Sequence, residues 1–194
     1  MTYQPKVYRE QGGDVLVIGT GGTLNLNSLL MATEAGAGIT AGTGTVYKSS
    51  VQRVGGIITT RILIDLTGLH SEATDLDIIG VDASASVAHI GQITAAKNGT
   101  ILAGIMRCLE VPAGGDPNLA LYSATEGTGV EDGGIAALTE TLLFDPAADW
   151  TIDMSRSLTG IPAANEYLYL VQGDGTGTDA DYTAGKFLIE LYGY

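Results

Sequence analysis

The feature that most constrains the fold is a series of short apolar runs, separated by turn-forming residues, that begins at Val46. In the clearest run, Ile57 to Leu66, apolar residues recur at the two-residue period of a half-buried strand. One face of this run carries Ile58, Ile62, Ile64 and Leu66, and the other carries Thr59, Arg61, Leu63 and Asp65. Further strands are predicted over Leu76–Val81, Val87–Thr94, Ile101–Val111, Leu119–Ser123, Tyr167–Gln172 and Lys186–Tyr192. Their short, regular spacing predicts an all-β fold, an antiparallel β-sandwich or jelly roll, over residues 46–194.

Three connections between these runs have recognisable signals. Asn98-Gly99 is typical of a type I′ hairpin turn, because both central residues of that turn need positive φ. Gly134 to Phe144 has the pattern of a short helix that would stop at Asp145-Pro146. Gly173 to Gly185 is acidic and glycine-rich, and we expect it to form the loop of a C-terminal hairpin.

The first 45 residues differ from the rest of the chain. A double glycine recurs after nine residues, and each is followed by a short apolar or alternating run. Leu24 and Leu26 alternate with asparagines, which is strand period. The stretch from Leu29 to Gly44 has the composition of a flexible linker. We therefore predict an extended N-terminal arm or strand module over residues 1–45, ending in a hinge.

Composition and charge exclude several classes of protein. The 194 residues include 28 glycines, and only 16% are charged, so a coiled coil or helical bundle is excluded. The formal charge of −13 disfavours binding to nucleic acid. There is no basic start followed by an apolar run and no stretch of 18 apolar residues, so we expect no membrane partner and a cytosol-like setting.

The charge is also unevenly distributed. Up to Arg61 there are five basic and three acidic residues, a charge of +2. From Ile62 onward there are four basic and nineteen acidic residues, a charge of −15. A slightly basic front on an acidic body indicates two surfaces with different neighbours.

Single residues give few chemical signals. His70 and His89 are isolated and lack metal-binding spacing, and Cys108 lies in an apolar run, so we expect structural roles and neither a metal nor a cofactor. The glycines near Gly19 lack the third glycine and the following helix of a dinucleotide loop. Asp174 to Asp181 offers carboxylates to Ca²⁺, but its order departs from known calcium loops, and a solvated loop is the simpler interpretation.

The N-terminal sequence nevertheless resembles that of a known class of proteins. Two segments begin the pattern, Tyr8-Arg-Glu-Gln-Gly-Gly-Asp and Gly19-Thr-Gly-Gly-Thr-Leu-Asn-Leu. An Ala/Gly/Thr-rich hinge follows them, and then a glycine-rich β domain that ends in Leu191-Tyr-Gly-Tyr. This pattern resembles the decoration or cement proteins of tailed-phage capsids. The resemblance implies a non-enzymatic virion subunit, often trimeric, that lies on the outer capsid surface and clamps neighbouring major capsid subunits after assembly in the host cytoplasm.

This resemblance gives the leading hypothesis, which is a homotrimeric decoration protein whose arm pairs with capsid strands or with a neighbouring copy. The expected contact residues are Tyr8, Arg9, Val15, Leu16, Val17, Ile18, Thr23, Leu24 and Leu26. The phage major capsid protein is the expected partner.

Two alternatives from other classes stay open. A carbohydrate-binding jelly roll would need an exposed aromatic platform, for which Trp150 with Asp149 and Asp153 is the candidate. An amidohydrolase is the other alternative, because Thr20-Gly-Gly-Thr-Leu resembles the first threonine motif of asparaginases, with Thr20 or Thr23 as nucleophile.

Overall fold

The structure is a computed structural model that describes residues 7–9, 16–18, 32–74, 76–145, 148–173 and 177–194. The chain divides into two compact units, Met1–Leu30 and Met31–Tyr194. In the first unit, β1 (Val7–Arg9) pairs antiparallel with β2 (Leu16–Ile18), and Tyr8 lies opposite Val17. This two-stranded ribbon lies within the predicted arm, whose residues 32–45 belong to the second unit.

The second unit contains eleven strands and three short helical turns among its described residues. In chain order they are α1 (Ala37–Thr40), β3 (Val46–Val54), β4 (Ile57–Asp65), β5 (His70–Ser71), β6 (Gly91–Gln92), α2 (Ala95–Asn98), β7 (Ile101–Ala113), β8 (Leu119–Ala124), a 3₁₀ turn (Ile135–Ala137), β9 (Glu140–Phe144), β10 (Ser155–Ser157), β11 (Tyr167–Gln172), β12 (Ala180–Asp181) and β13 (Ala184–Gly193). None of the helices in the described segments is long and apolar enough to span a bilayer.

A five-stranded antiparallel sheet has the order β10-β7-β13-β4-β3. Side chains along its strands point alternately to its two faces, so that one face is apolar and buried while the other faces solvent. The buried face includes Ile62, Ile64, Met106, Cys108, Phe187 and Ile189. The register between β7 and β13 shifts at three points, two of which leave Leu102 and Leu109 of β7 without partners on β13, as in β-bulges.

A four-stranded antiparallel sheet has the order β6-β11-β8-β9. All six residues of β8 are buried, as are all residues of β11 after Tyr167, so both faces of the two central strands are covered. Tyr169 shows how the second face is covered, because its hydroxyl donates to the Glu126 carbonyl and accepts from the Gly129 N–H.

Trp150 joins the two sheets. Its ring packs edge-on against Phe144 of β9 and Phe187 of β13, with ring centroids 5.4 and 5.1 Å away. The indole N–H donates to the Leu119 carbonyl at 2.9 Å, which satisfies the polar atom of this fully buried side chain. The core therefore lies between the sheets, and the prediction of an all-β antiparallel sandwich is confirmed.

The strands predicted from the longest apolar alternations are confirmed, since β4, β7, β8, β11 and β13 lie where the sequence placed them. Leu76–Val81 and Val87–Thr94 were predicted as strands, but they contain only isolated bridges and the two-residue β6. Both segments instead pass along β11, where Ile79 N–H and Ile90 N–H donate to the carbonyls of Leu170 and Leu168.

The hairpin turn predicted at Asn98-Gly99 is wrong. Asn98 ends α2, and Gly99 follows with φ +68°. The Asn98 side chain is fully buried, accepts from the Thr94 N–H and donates to Thr60 Oγ1. These tertiary hydrogen bonds, which local turn statistics do not include, hold Asn98 in the helical conformation.

Two other predicted connections are also wrong. Glu140–Phe144 is a strand, and only Ile135–Ala137 forms a 3₁₀ turn in the region predicted to be helical. β11 and β13 belong to different sheets, so they do not form a C-terminal hairpin. The segment between them instead crosses from one sheet to the other, and β12 within it pairs with β5.

Residues 32–45 pack within the second unit. Ile39 of α1 is completely buried in the core, and the N–H groups of Gly36 and Gly38 donate to the carbonyls of His89 and Val87. A truncation that separates the two units therefore ends before Met31.

Candidate functional site: the outer sheet face and the His70 cluster

The solvent-facing side of the five-stranded sheet, here called the outer face, carries exposed and half-buried apolar side chains between charged ones. Leu188 of β13 lies beside Leu63 of β4, and both are half-buried. The two bulged leucines of β7, Leu102 and Leu109, are 57% and 45% exposed. Ile57 at the end of β4 is 48% exposed. Apolar side chains exposed on one sheet face of a soluble protein are candidates for an interaction surface.

The charges on the outer face are paired with one another. Glu190, only 8% exposed, accepts from Arg61 Nε at 2.9 Å and lies 3.7 Å from Arg107 Nε. Lys186 lies 3.2 Å from Asp65 Oδ2 and also bonds Glu110. These contacts hold the pKa of Lys186 above its ordinary value, with Glu110 making the larger contribution. Most of these charges already have partners before any contact is made, which lowers the cost of covering them.

The outer face differs in charge from the rest of the chain. By strand register it carries four basic residues, Lys48, Arg61, Arg107 and Lys186, and three acidic residues, Asp65, Glu110 and Glu190. Its formal charge is +1, whereas the other residues of the chain, with five basic and nineteen acidic side chains, carry −14. The difference in charge therefore separates one face of the five-stranded sheet from the rest of the chain. Dividing the sequence at Arg61 did not show this, because the face is made of residues from both sides of that division.

The contact residues predicted in the arm are only partly described. Tyr8 and Arg9 lie on β1, and Leu16, Val17 and Ile18 make up β2. Val15, Thr23, Leu24 and Leu26 lie outside the described residues, as do Thr20 and the other residues of the asparaginase-like motif. The backbone pairs Arg9 with Leu16, so the predicted contact residues of the two strands share one ribbon.

A second feature is a group of four titratable side chains, here called the His70 cluster: His70, Glu72, Asp82 and Glu131. One ligand atom from each lies within 4.8 Å of the others. β5 carries His70, and the backbone pairs this residue with Asp181 of β12 on one side and with Gly80 on the other. Gly80 is needed there, because a Cβ on it would lie 2.8 Å from Glu131 Cβ.

The electrostatics of the His70 cluster are strongly perturbed. Burial acts to lower the pKa of His70, but the hydrogen bond to Asp181 and the charges of Asp82 and Glu72 outweigh it, so the pKa is raised. Burial raises the pKa of Glu131 to about 7, and the facing carboxylate of Glu72 adds to the shift. The carboxylates therefore repel one another unless a proton or a cation lies between them.

Sequence inspection missed this cluster because its members are far apart in the chain. His70 pairs with Gly80, and Glu131 packs against Gly80, so the two come together only in the folded chain and no local spacing motif contains them. The acidic loop considered for calcium does contribute, since Asp179 and Asp181 lie 3.2 and 2.8 Å from the His70 ring nitrogens. Asp174 lies outside the described residues.

Trp150 does not provide the aromatic platform expected for a carbohydrate-binding protein. It is 1% exposed, so the expectation of an exposed ring between Asp149 and Asp153 is wrong. A separate cleft of about 200 Å³ lies between His89, Tyr167, Glu34 and Lys97. This volume is below the range of roughly 300–1,000 Å³ for small-molecule sites.

No protein-family model, no curated protein and no solved structure matches this chain.

Proposed function

We propose that this chain is a non-enzymatic structural subunit of a tailed-phage virion, which binds the outer surface of the capsid and stabilises the shell. The observation that carries the proposal is the outer face, a sheet surface with exposed leucines and a nearly balanced charge on a chain whose charge is −13. The N-terminal resemblance to decoration proteins supports the choice of partner, which is the phage major capsid protein.

The outer face has the composition of a protein-binding surface. Half-buried Leu63, Leu188 and Ile105 occupy its middle strands, where they alternate with the ion-paired side chains of Arg61 and Glu190. Apolar side chains set among polar groups that already have partners are compatible with a protein interface. The acidic remainder of the protein would then face solvent and keep decorated particles from associating with one another.

The arm supplies a second contact in this proposal. Among the described residues, β1 pairs only with β2, so each of the two strands has a second edge that is available to another strand. A capsid strand or a strand of a neighbouring copy would extend the ribbon by backbone hydrogen bonds. Many copies on one shell, assembled as trimers, would make weak single contacts sufficient.

Co-sedimentation tests the proposal with empty shells of the major capsid protein from the phage that encodes this chain. Wild-type protein is expected to sediment with the shells at saturable stoichiometry. Leu102→Asp with Leu109→Asp places two charges on exposed outer-face positions and is expected to weaken binding at least tenfold. Leu142→Asp with Ile161→Asp is the matched control, since both residues are 41% exposed and lie outside the five-stranded sheet.

A chain lacking residues 1–30 separates the contributions of the arm and the face. Weaker binding by this chain supports the arm contact, and unchanged binding removes it. Unchanged binding by the Leu102/Leu109 variant removes the outer-face contact. Wild-type protein that stays in the supernatant contradicts the proposed function itself.

A further inference from the structure

We propose that His70, Glu72, Asp82 and Glu131 bind one divalent transition-metal ion, of the Mn²⁺ or Zn²⁺ class, which ties together chain segments that are distant in sequence. This site is independent of capsid docking. Its four donors comprise one imidazole nitrogen and three carboxylates, contributed from β5, the residue after it, and two separate loops.

The orientation of the His70 ring suits a metal ligand. Nδ1 lies 2.8 Å from Asp181 Oδ1, and an N–H donated there leaves the lone pair on Nε2. Nε2 faces two carboxylate oxygens, Asp179 Oδ1 at 3.2 Å and Glu72 Oε1 at 3.6 Å, so a cation bound to Nε2 would replace its contact with Asp179. A histidine that donates one ring N–H to a carboxylate and presents the other nitrogen to a cation is the usual arrangement in metal sites, where the carboxylate fixes the tautomer and raises the basicity of the ligand.

The buried carboxyl of Glu131 also indicates a bound cation. This residue is only 5% exposed, and its Oε2 accepts from the Ala83 N–H at 3.1 Å. Its other oxygen, Oε1, is buried and has no hydrogen-bond partner among the described residues. The Glu131 carboxyl faces that of Glu72, another acceptor. A buried carboxylate oxygen without a donor is costly, and a cation between Glu72 and Glu131 would satisfy it.

The donor set indicates the class of ion. Calcium and magnesium favour oxygen-only sites, whereas imidazole is preferred by transition ions, and carboxylates also suit Mn²⁺. Donor atoms about 2.0–2.2 Å from one metal ion lie about 3.0–3.6 Å apart as neighbours and at most about 4.4 Å apart across the ion. The ligand atoms of the cluster lie within 4.8 Å of one another, so binding an ion requires them to move together by up to about 1–2 Å. Asp82 is exposed and leaves an entry path.

The role of such an ion is structural. Glu72 follows β5, Asp82 lies in the loop after Gly80, and Glu131 lies between β8 and β9. Because the folded chain assembles these ligands, binding free energy is added to the stability of the fold. The competing occupant is a proton shared between Glu72 and Glu131, which needs no metal.

The test uses the full-length protein, stripped with EDTA and dialysed, then titrated with Mn²⁺ or Zn²⁺. Calorimetry is expected to show one ion per chain, and ion at about 100 times Kd is expected to raise Tm by on the order of 5 °C. Ca²⁺ and Mg²⁺ are expected to bind at least tenfold more weakly. An absence of binding at millimolar Mn²⁺ and Zn²⁺ overturns the proposal and leaves the proton as occupant.

Variants distinguish this site from general attraction of cations to an acidic protein. His70→Gln and Glu131→Gln are expected to weaken binding about 100-fold, and Asp181→Asn, which acts through His70, by about 10–100-fold. Glu140→Gln removes an exposed carboxylate elsewhere and is the matched control. Unchanged binding by the His70 and Glu131 variants overturns the site.

A spectroscopic measurement on the wild-type protein covers the case in which a variant fails to fold. Pulsed EPR of the Mn²⁺-loaded chain is expected to show hyperfine coupling to a single directly bound imidazole nitrogen. A spectrum without nitrogen coupling contradicts His70 ligation and overturns the proposal.

Discussion

The two sheets of the sandwich are built from similar residues but differ in how many faces they bury. The central strands of the four-stranded sheet are covered on both sides, and β8 reads as an unbroken buried run. The five-stranded sheet buries only its inner face, yet its outer face still carries leucine and isoleucine between ion pairs. Apolar residues in the four-stranded sheet are buried by the fold itself, whereas those on the outer face stay in contact with solvent and are the ones that the proposed partner would cover.

The largest effect is expected where the two sheets meet. Trp150→Ala should cost about 3–5 kcal/mol of the free energy of unfolding, because it removes the ring that contacts both Phe144 and Phe187 and leaves a cavity. Denaturant unfolding measures the loss. A cost below about 1 kcal/mol would mean that the sheets are not held together at this point.

A matched pair of leucines compares the two sheets directly. Leu170→Ala, at a completely buried position of β11, is expected to cost about 2–5 kcal/mol, whereas Leu188→Ala on the outer face should cost about 1 kcal/mol. Equal costs in chemical denaturation would break the comparison, since the outer face would then behave as interior.

The comparison also explains which features were predictable from sequence. β4 and β11 were located because their side-chain patterns reflect the burial of their own faces. The segments 76–81 and 87–94 are as apolar as these strands, but they form only single hydrogen bonds and isolated bridges along the edge of β11. The period of apolar residues does not distinguish such a segment from a regular strand.

The features missed from sequence depend on tertiary contacts. Asn98-Gly99 has the sequence of a hairpin turn, but the bond from Asn98 to Thr60 places it at the end of a helix. The outer face appears only when β7, β13 and β4 are set in register, and the His70 cluster only when His70 pairs with Gly80 and Glu131 packs against Gly80.

A smaller effect is expected from the charges of the outer face. Glu190→Gln removes the shared partner of Arg61 and Arg107, whose side chains are nearly half exposed. Because exposed ion pairs contribute little, the expected loss is about 1 kcal/mol or less by thermal or chemical unfolding. A loss above about 2 kcal/mol would indicate that this surface is shielded from water even without a partner.

The smallest effect concerns the covered face of the four-stranded sheet. His89 packs on Tyr167 with ring centroids 4.9 Å apart, and burial lowers its pKa below 6.5. A lowered histidine pKa favours the neutral form in the folded state, so its contribution to stability is present above pH 6.5 and is lost as the pH falls through the folded-state pKa. An NMR titration of the His89 ring is expected to show this low value, and a pKa at or above 6.5 would mean that water enters the covering loops.

The most direct test of the docking account is a cryo-EM reconstruction of a shell decorated with this protein. The account predicts that the outer face, formed by Leu63, Leu188 and the bulged Leu102 and Leu109, lies against the major capsid protein, with the four-stranded sheet directed away from the shell. A reconstruction in which the outer face is open to solvent, or in which no density for this chain lies on the capsid exterior, would contradict it.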